Sequence, residues 1–170
     1  GKMPGDDWQQ LAGVRAFTAY LLSHPGKKLT FMGAELGQWH EWNFASQLDW
    51  YLLDNPDSQR LHRFFREINR FYLSQSPLWE IDFSWEGFEW LVADDNRNNV
   101  VVFVRRDRSG GELIAAVNFS PVGRRSYRFG VPPKKTYREL FTTDRPEYGG
   151  TGDWLNERPI ETQDIPSHGR

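Results

Sequence analysis

Cysteine is absent from this chain of 170 residues, which excludes disulfide bonds and cysteine-ligated zinc sites. There is also no long apolar run of the kind that spans a membrane. The formal net charge is only −2, so charge provides no basis for binding nucleic acid or an anionic membrane surface. We therefore expect no nucleic-acid or membrane partner. The lack of cysteine fits a reducing, cytoplasmic location.

Motifs for metal and cofactor binding are missing as well. The four histidines are scattered, and none has the spacing of an H-x-x-x-H or H-E-x-x-H zinc motif. No glycine-rich phosphate loop occurs, and no serine lies in the context of a nucleophile elbow. The sequence therefore predicts no metal and no cofactor.

Aromatic residues, in contrast, are abundant: they make up 15% of the chain and include 8 tryptophans. Indole rings stack on the apolar faces of pyranose sugars, so this is the one compositional indication of carbohydrate binding. The alternative is that the rings simply fill a core. The content of 38% hydrophobic and 26% charged residues is ordinary for a globular protein.

Two stretches have the periodicity of amphipathic helices, residues 6–23 and residues 57–75. In both, apolar residues recur mostly at three- and four-residue steps, and a proline follows shortly after the last turn. Acidic or hydroxyl residues precede each helix and can cap it. The candidate N-caps are Asp6 or Asp7 for the first helix, and Asp54, Asp57 or Ser58 for the second.

The most informative segment lies between these helices. Leu29, Phe31 and Met32 predict a short buried strand over residues 28–32, which follows the first helix after a tight turn. A loop rich in carboxylate, amide and indole groups comes directly after it, over residues 34–56. In a β/α barrel, sites are built on loops at this end of the strands, and such groups suit a sugar site.

From residue 86 onward the pattern changes to period two, which predicts an antiparallel β-sandwich. We place the domain boundary near residue 77 and expect residues 142–170 to be mostly loop. The predicted strands cover residues 88–94, 100–106, 113–119, 127–131 and 137–141.

Two local expectations follow from this pattern. Strict alternation in the first strand places Phe88, Trp90 and Val92 on one face of the sheet. The basic residues at the end of the second strand are expected to form a solvated cluster. These are Arg105, Arg106 and Arg108.

Several runs of this sequence resemble the bacterial 1,4-α-glucan (glycogen) branching enzymes of the α-amylase superfamily. They occur in the same order and at similar spacing, over nearly the whole chain. The runs are GKMPGDDWQQLAGVRAF (1–17), HPGKKLTFMGAELGQWHEWN (24–43), LDWYLL (48–53), FEWLVADD (88–95), VVFVRRD (101–107), AAVNFSPV (115–122), YRFGVP (127–132) and YGG (148–150).

The resemblance implies a fold and an activity. Residues 1–77 would be the last helix–strand–helix elements of a catalytic (β/α)8 or TIM barrel, and residues 78–170 a C-terminal β-sandwich that could be truncated at its end. The parent enzyme cleaves an α-1,4 linkage, holds the chain covalently, and transfers it to a 6-hydroxyl to form an α-1,6 branch. The family's three catalytic carboxylates precede this sequence, so we expect no catalytic residue here and no activity from the chain alone.

The expected partners are an α-glucan such as glycogen or amylose and the remainder of the barrel. Our candidate substrate-binding residues are Glu35, Trp39, Trp42 and Trp90. The rival role for each tryptophan is core packing, and Glu35 could orient neighbouring loops. Glu35 and Glu41 could also be read as a catalytic pair, although a six-residue separation in one loop does not by itself bring them to the roughly 5 Å that retention needs.

Two other functions stay open on the sequence. One is a carbohydrate-binding or scaffold module without catalysis. The other is a related hydrolase of the same superfamily, such as a debranching or trehalose-forming enzyme. The GQWHEWN and LDWYLL runs favour a branching enzyme over these.

Overall fold

The computed structural model describes residues 3–132 and 136–168. Two helices come first and two small antiparallel sheets follow, joined by short 3-10 turns. Both predicted helices and the first three predicted strands are confirmed to within a residue or two. The helices are α1 (Asp7–Ser23) and α2 (Pro56–Ser74); the strands are β1 (Phe88–Asp95), β2 (Val100–Arg106), β3 (Glu112–Asn118), β4 (Thr136–Tyr137) and β5 (Ile160–Glu161).

Helix α1 begins at a capping box. The amide of Gln9 donates to the Asp6 carboxylate at 2.8 Å, and the Asp6 amide donates to the Gln9 side chain at 3.0 Å. Asp6 was one of the two predicted N-caps. For α2 the predicted caps are wrong, because Asn55 accepts the Asp57 amide at 2.8 Å. Proline favours the first helical position, so Pro56 makes the residue before it the N-cap.

The first core lies between the two helices. Phe64 of α2 is completely buried, and its ring makes edge contacts with Phe65 and Tyr148. Leu22, Leu61 and Ile68 complete the buried cluster. This core therefore includes Tyr148, which follows the three long strands β1, β2 and β3 in the chain.

Side chains of α1 hold that distant segment in place. The buried Arg15 guanidinium donates to the carbonyl oxygens of Thr143 and Gly149, each at 3.2 Å. The Trp8 indole donates to the same Gly149 oxygen at 2.8 Å. Residues 143–149 are thus attached to the helical core.

The larger sheet has the order β1-β2-β3, with β2 in the centre. Trp90 pairs with Phe103 and Val92 pairs with Val102, with a register shift between them. Directly opposed residues share a face and neighbours in one strand do not, so Trp90 and Val92 lie on opposite faces. The predicted alternation is therefore wrong, because a β-bulge inserts one residue into β1.

The second core covers one face of this sheet. Val92, Val102 and Val104 are almost fully buried there. The segment 127–131 packs its apolar side chains against them, yet it forms no strand, so that prediction is wrong. Alternating apolar residues can be buried by side-chain packing without backbone pairing.

The smaller sheet also departs from the sequence prediction. The strand expected over 137–141 is reduced to β4, since its backbone finds an antiparallel partner for two residues only. That partner, β5, lies within the stretch expected to be mostly loop. Its pairing joins Thr136 to Glu161 and Tyr137 to Ile160.

Two further expectations are wrong. Residues 28–32 form no strand, and Leu29 is 83% exposed, because no strand in the described part of the chain pairs with them. Arg105 is fully buried rather than solvated, because three backbone or carboxylate acceptors surround its guanidinium. None of the helices described here is long and apolar enough to cross a membrane.

Candidate functional site

The loop after residue 32 is shaped by two glycines. Gly33 has a φ of +85°, and a Cβ there would lie 2.5 Å from the side-chain oxygen of Gln38. Gly37 has a φ of +69° and ends a single 3-10 turn over Ala34–Leu36. Residues other than glycine rarely adopt such backbone angles, so the two glycines allow the chain to reverse tightly at these positions.

Packing against the helices anchors this loop. Leu36 is only 1% exposed, and a Cβ on Gly37 would come within 3.1 Å of the Leu61 side chain. Further along, Leu52 is also buried. The residues between these anchors can therefore be exposed while both ends of the loop are held by the helical core.

Trp39 and Trp42 lie on the exposed part of the loop, at 45% and 46% exposure. The Trp42 ring meets Phe31 edge to face, with centroids 5.6 Å apart. Neither indole is buried by the described residues, so their contact with a sugar and their packing against the rest of a barrel both stay predictions. Each leaves part of an aromatic ring accessible, which is what stacking on a sugar requires.

Glu35 is half-buried in the turn between the two glycines. Within residues 3–132 and 136–168, its carboxylate makes no hydrogen bond or ion pair. An ionised carboxylate can accept several hydrogen bonds, so its capacity to orient a hydroxyl or a neighbouring loop is unused here.

One contact within this loop was not expected from the sequence. The His40 ring nitrogen Nδ1 lies 3.1 Å from the Asp49 carboxylate, which connects the QWHEWN segment to LDWYLL. The His40 side chain is 76% exposed, so the pair contributes little stability. The only signal for this pair in the sequence was that a histidine and an aspartate lie nine residues apart in one loop.

The structure places Trp90 in a different environment. Its ring packs against Phe88 and Phe103 at centroid distances of 5.0 and 5.5 Å, and against His24 at the end of α1. It is 36% exposed, so it is neither part of the buried valine core nor a fully exposed surface for sugar binding.

The concave features of the C-terminal segment do not coincide with these residues. A concavity of about 450 Å³ lies in the C-terminal segment and is lined by side chains of both charges, none of them a predicted site residue. No cluster of three or more acidic or histidine side chains suited to a metal ion occurs among the residues that the structure describes.

Comparison with known protein families assigns the second half of the chain to a class of domain. Residues 90–170 match the alpha amylase C-terminal all-beta domain family. The antiparallel sheets of the second half agree with that match. The chain therefore carries the all-β domain found at the C-terminus of α-amylases.

The particular relatives are more specific. The chain is 44% identical, over 99% of its length, to the 1,4-alpha-glucan branching enzyme GlgB of Aromatoleum aromaticum. It is 47% identical over 94% of its length to that of Thermosynechococcus vestitus, and 47% identical over its full length to that of Aquifex aeolicus. The chain is thus homologous to the 1,4-α-glucan branching enzymes, which confirms the resemblance seen in the sequence.

The matches cover a limited part of those relatives. The chain spans 26%, 22% and 27% of the three proteins, about a quarter of their length.

Proposed function

We propose that this chain works as part of a cytoplasmic 1,4-α-glucan branching enzyme in glycogen biosynthesis. Its identity of about 45% to branching enzymes along essentially its whole length carries this proposal. The parent enzyme cleaves α-1,4 glucosidic linkages and transfers the chain to a 6-hydroxyl. That reaction is a transfer between sugars, so α-glucan is both donor and acceptor.

In this proposal residues 1–77 form the end of a (β/α)8 barrel. The exposure of Leu29 and Phe31 supports it, since apolar residues of a barrel strand are buried only when neighbouring strands are present. The order helix, extended segment, loop, helix agrees with a βα repeat. Residues 78–170 form the C-terminal sandwich.

The chain supplies substrate contacts and no catalytic group. Trp39, Trp42 and Trp90 present indole area to a glucan, and Glu35 orients a hydroxyl or an adjoining loop. Transfer requires that an acceptor hydroxyl react in place of water, so the acceptor must be held close and correctly oriented. The partially exposed indoles serve that need.

The first experiment replaces the matched 27% of the Aquifex aeolicus enzyme with residues 1–170. We expect this chimaera to form α-1,6 linkages in amylose, detected by loss of iodine colour and by debranching, and the 170-residue chain alone to form none. The A. aeolicus enzyme is the positive control. A folded chimaera without activity contradicts the proposal, and activity from the chain alone would assign the chemistry to its own carboxylates, such as Glu35 and Glu41.

A paired substitution tests the substrate contacts. Trp42→Ala in the chimaera should raise KM for amylose about 2- to 12-fold, the equivalent of about 0.5–1.5 kcal/mol of lost aromatic contact. Phe44→Ala is the control, because Phe44 lies in the same loop and is 86% exposed. Equal effects of the two substitutions would count against a specific role for Trp42.

Only the half-exposed indoles favour the alternative function, a carbohydrate-binding module without catalysis. It predicts that the 170-residue chain binds amylose in affinity electrophoresis and that the chimaera stays inactive. Binding together with an active chimaera supports the branching enzyme instead.

A further inference from the structure

The largest fully buried side chain in the described part of the protein is a charged one, Arg105 of the central strand β2. Its guanidinium donates to the Gly87 carbonyl at 3.1 Å, to the Ser23 carbonyl at 2.8 Å, and to the Asp82 carboxylate at 2.8 Å. Two of these acceptors, Asp82 and Gly87, lie in the connection between α2 and β1, and the third, Ser23, ends α1. The strand thus holds the end of α1 through one side chain.

Asp82 extends this contact to the turn that follows α1. Its second oxygen accepts the amide of Gly26 at 3.1 Å, where the backbone has a φ of +103°. The Lys28 ammonium lies 3.9 Å from the first oxygen and also donates to the His24 carbonyl. Burial lowers the pKa of Lys28, an effect that the Asp82 carboxylate opposes.

This network is directional in a way that apolar packing is not. A buried ion pair adds little net stability compared with a well-packed apolar cluster, because both charges lose their hydration. A planar guanidinium, however, satisfies several acceptors only in one arrangement. The arrangement fixes the backbone of residues 23–28 relative to the sheet.

The loop with the candidate substrate contacts begins immediately beyond these residues. Residues 28–32 form no interstrand backbone hydrogen bonds within the described chain. The path of this segment is therefore determined by how the residues at its two ends are held. One end is the network around Arg105, and the other is the Gly33–Gly37 turn anchored by Leu36. In a barrel strand, a slip of one residue would turn every side chain to the opposite face.

We propose that Arg105 and Asp82 are positioning residues through which the C-terminal β-domain fixes the course of residues 28–32 and hence of the loop 33–43. The inference rests on the proposed function, because that loop is the proposed glucan contact. Neither side chain touches substrate in this role.

Amide hydrogen exchange on the 170-residue chain tests the positioning directly. Arg105→Lys keeps the charge but cannot reproduce the fork, and Asp82→Asn removes the charge at similar size. Each should speed exchange about tenfold or more at Gly26 and also at Ala34 and Leu36, whose amides close the following turn. Exchange at these amides should rise by more than exchange at the amides of β2, so the ratio of loop to sheet exchange should increase. A response limited to Gly26, or no response, would overturn the proposal.

The control is Val104→Ala, a neighbouring buried residue of β2 that packs in the valine core on the other face. It should destabilise the sheet and leave the ratio of loop to sheet exchange unchanged. If it loosens the 33–37 turn as strongly as Arg105→Lys does, the effect is general destabilisation and the positioning role is refuted.

The active chimaera provides a second readout. A misplacement of about 1 Å in substrate-positioning groups can cost on the order of a hundredfold in rate. We expect Arg105→Lys and Asp82→Asn to raise KM for amylose and to change the lengths of transferred chains, with Val104→Ala changing neither. Unchanged KM and branch lengths would overturn the inference while leaving the proposed function intact. If the unsubstituted chimaera is inactive, the proposed function fails, and hydrogen exchange still decides the positioning.

Discussion

Replacing Phe64 by alanine should remove a large share of the stability of this chain. The side chain is 0% exposed and sits between α2, α1 and the segment that contains Tyr148. Truncating a buried phenylalanine costs about 3–5 kcal/mol. Its edge contacts with Phe65 and Tyr148, at 5.8 and 5.6 Å, would be lost as well, and we expect a total loss of about 4 kcal/mol.

The total stability of a domain is about 5–15 kcal/mol, so a loss of about 4 kcal/mol is about a quarter or more of it. For a chain of this size, about 4 kcal/mol corresponds to a fall in Tm of roughly 8–16 °C. Urea unfolding followed by circular dichroism should show a lower midpoint with an unchanged slope.

The matched control is Phe44→Ala, since that ring is 86% exposed and should change stability by less than about 0.5 kcal/mol. A loss below about 1 kcal/mol for Phe64→Ala would refute the description of a core that joins the helices to residues 141–148. Equal losses at both positions would do the same.

Two further predictions concern single hydrogen bonds. The Tyr127 hydroxyl donates to the Asp95 carboxylate at 2.6 Å. Together with Asn98 it holds the pKa of Asp95 below its ordinary 3.8. The interaction therefore stabilises the fold above pH 3.8, and this stabilisation is lost as the pH falls through the lowered pKa. Tyr127→Phe should therefore raise the pKa of Asp95 in a carboxyl NMR titration; an unchanged value would contradict the assignment. Asn55→Ala should cost about 1 kcal/mol by removing the N-cap of α2, whereas Asp54→Ala, outside the cap, should cost less than half of that in the same urea assay.

Much of the local structure could be predicted from the sequence. The helical periodicity and the candidate cap Asp6 identified α1, and the alternation of apolar residues identified β2 with its observed bounds. The glycine-containing loop after residue 32 was also expected from the sequence, and the substrate contact of its Trp39 and Trp42 stays a prediction. These features depend on residues close together in the chain, so short windows of sequence contain the information.

The sequence by itself therefore determined the order and type of the main elements and the residues of the candidate loop. Only the tertiary structure decided the burial of Arg105, the bulge that separates Trp90 from Val92, and the attachment of Gly149 to α1. Each of these depends on partners brought close by folding, such as the Ser23 carbonyl 82 positions before Arg105. A charged residue is predicted to be solvated unless its acceptors are known, and those acceptors come together only when distant segments pack.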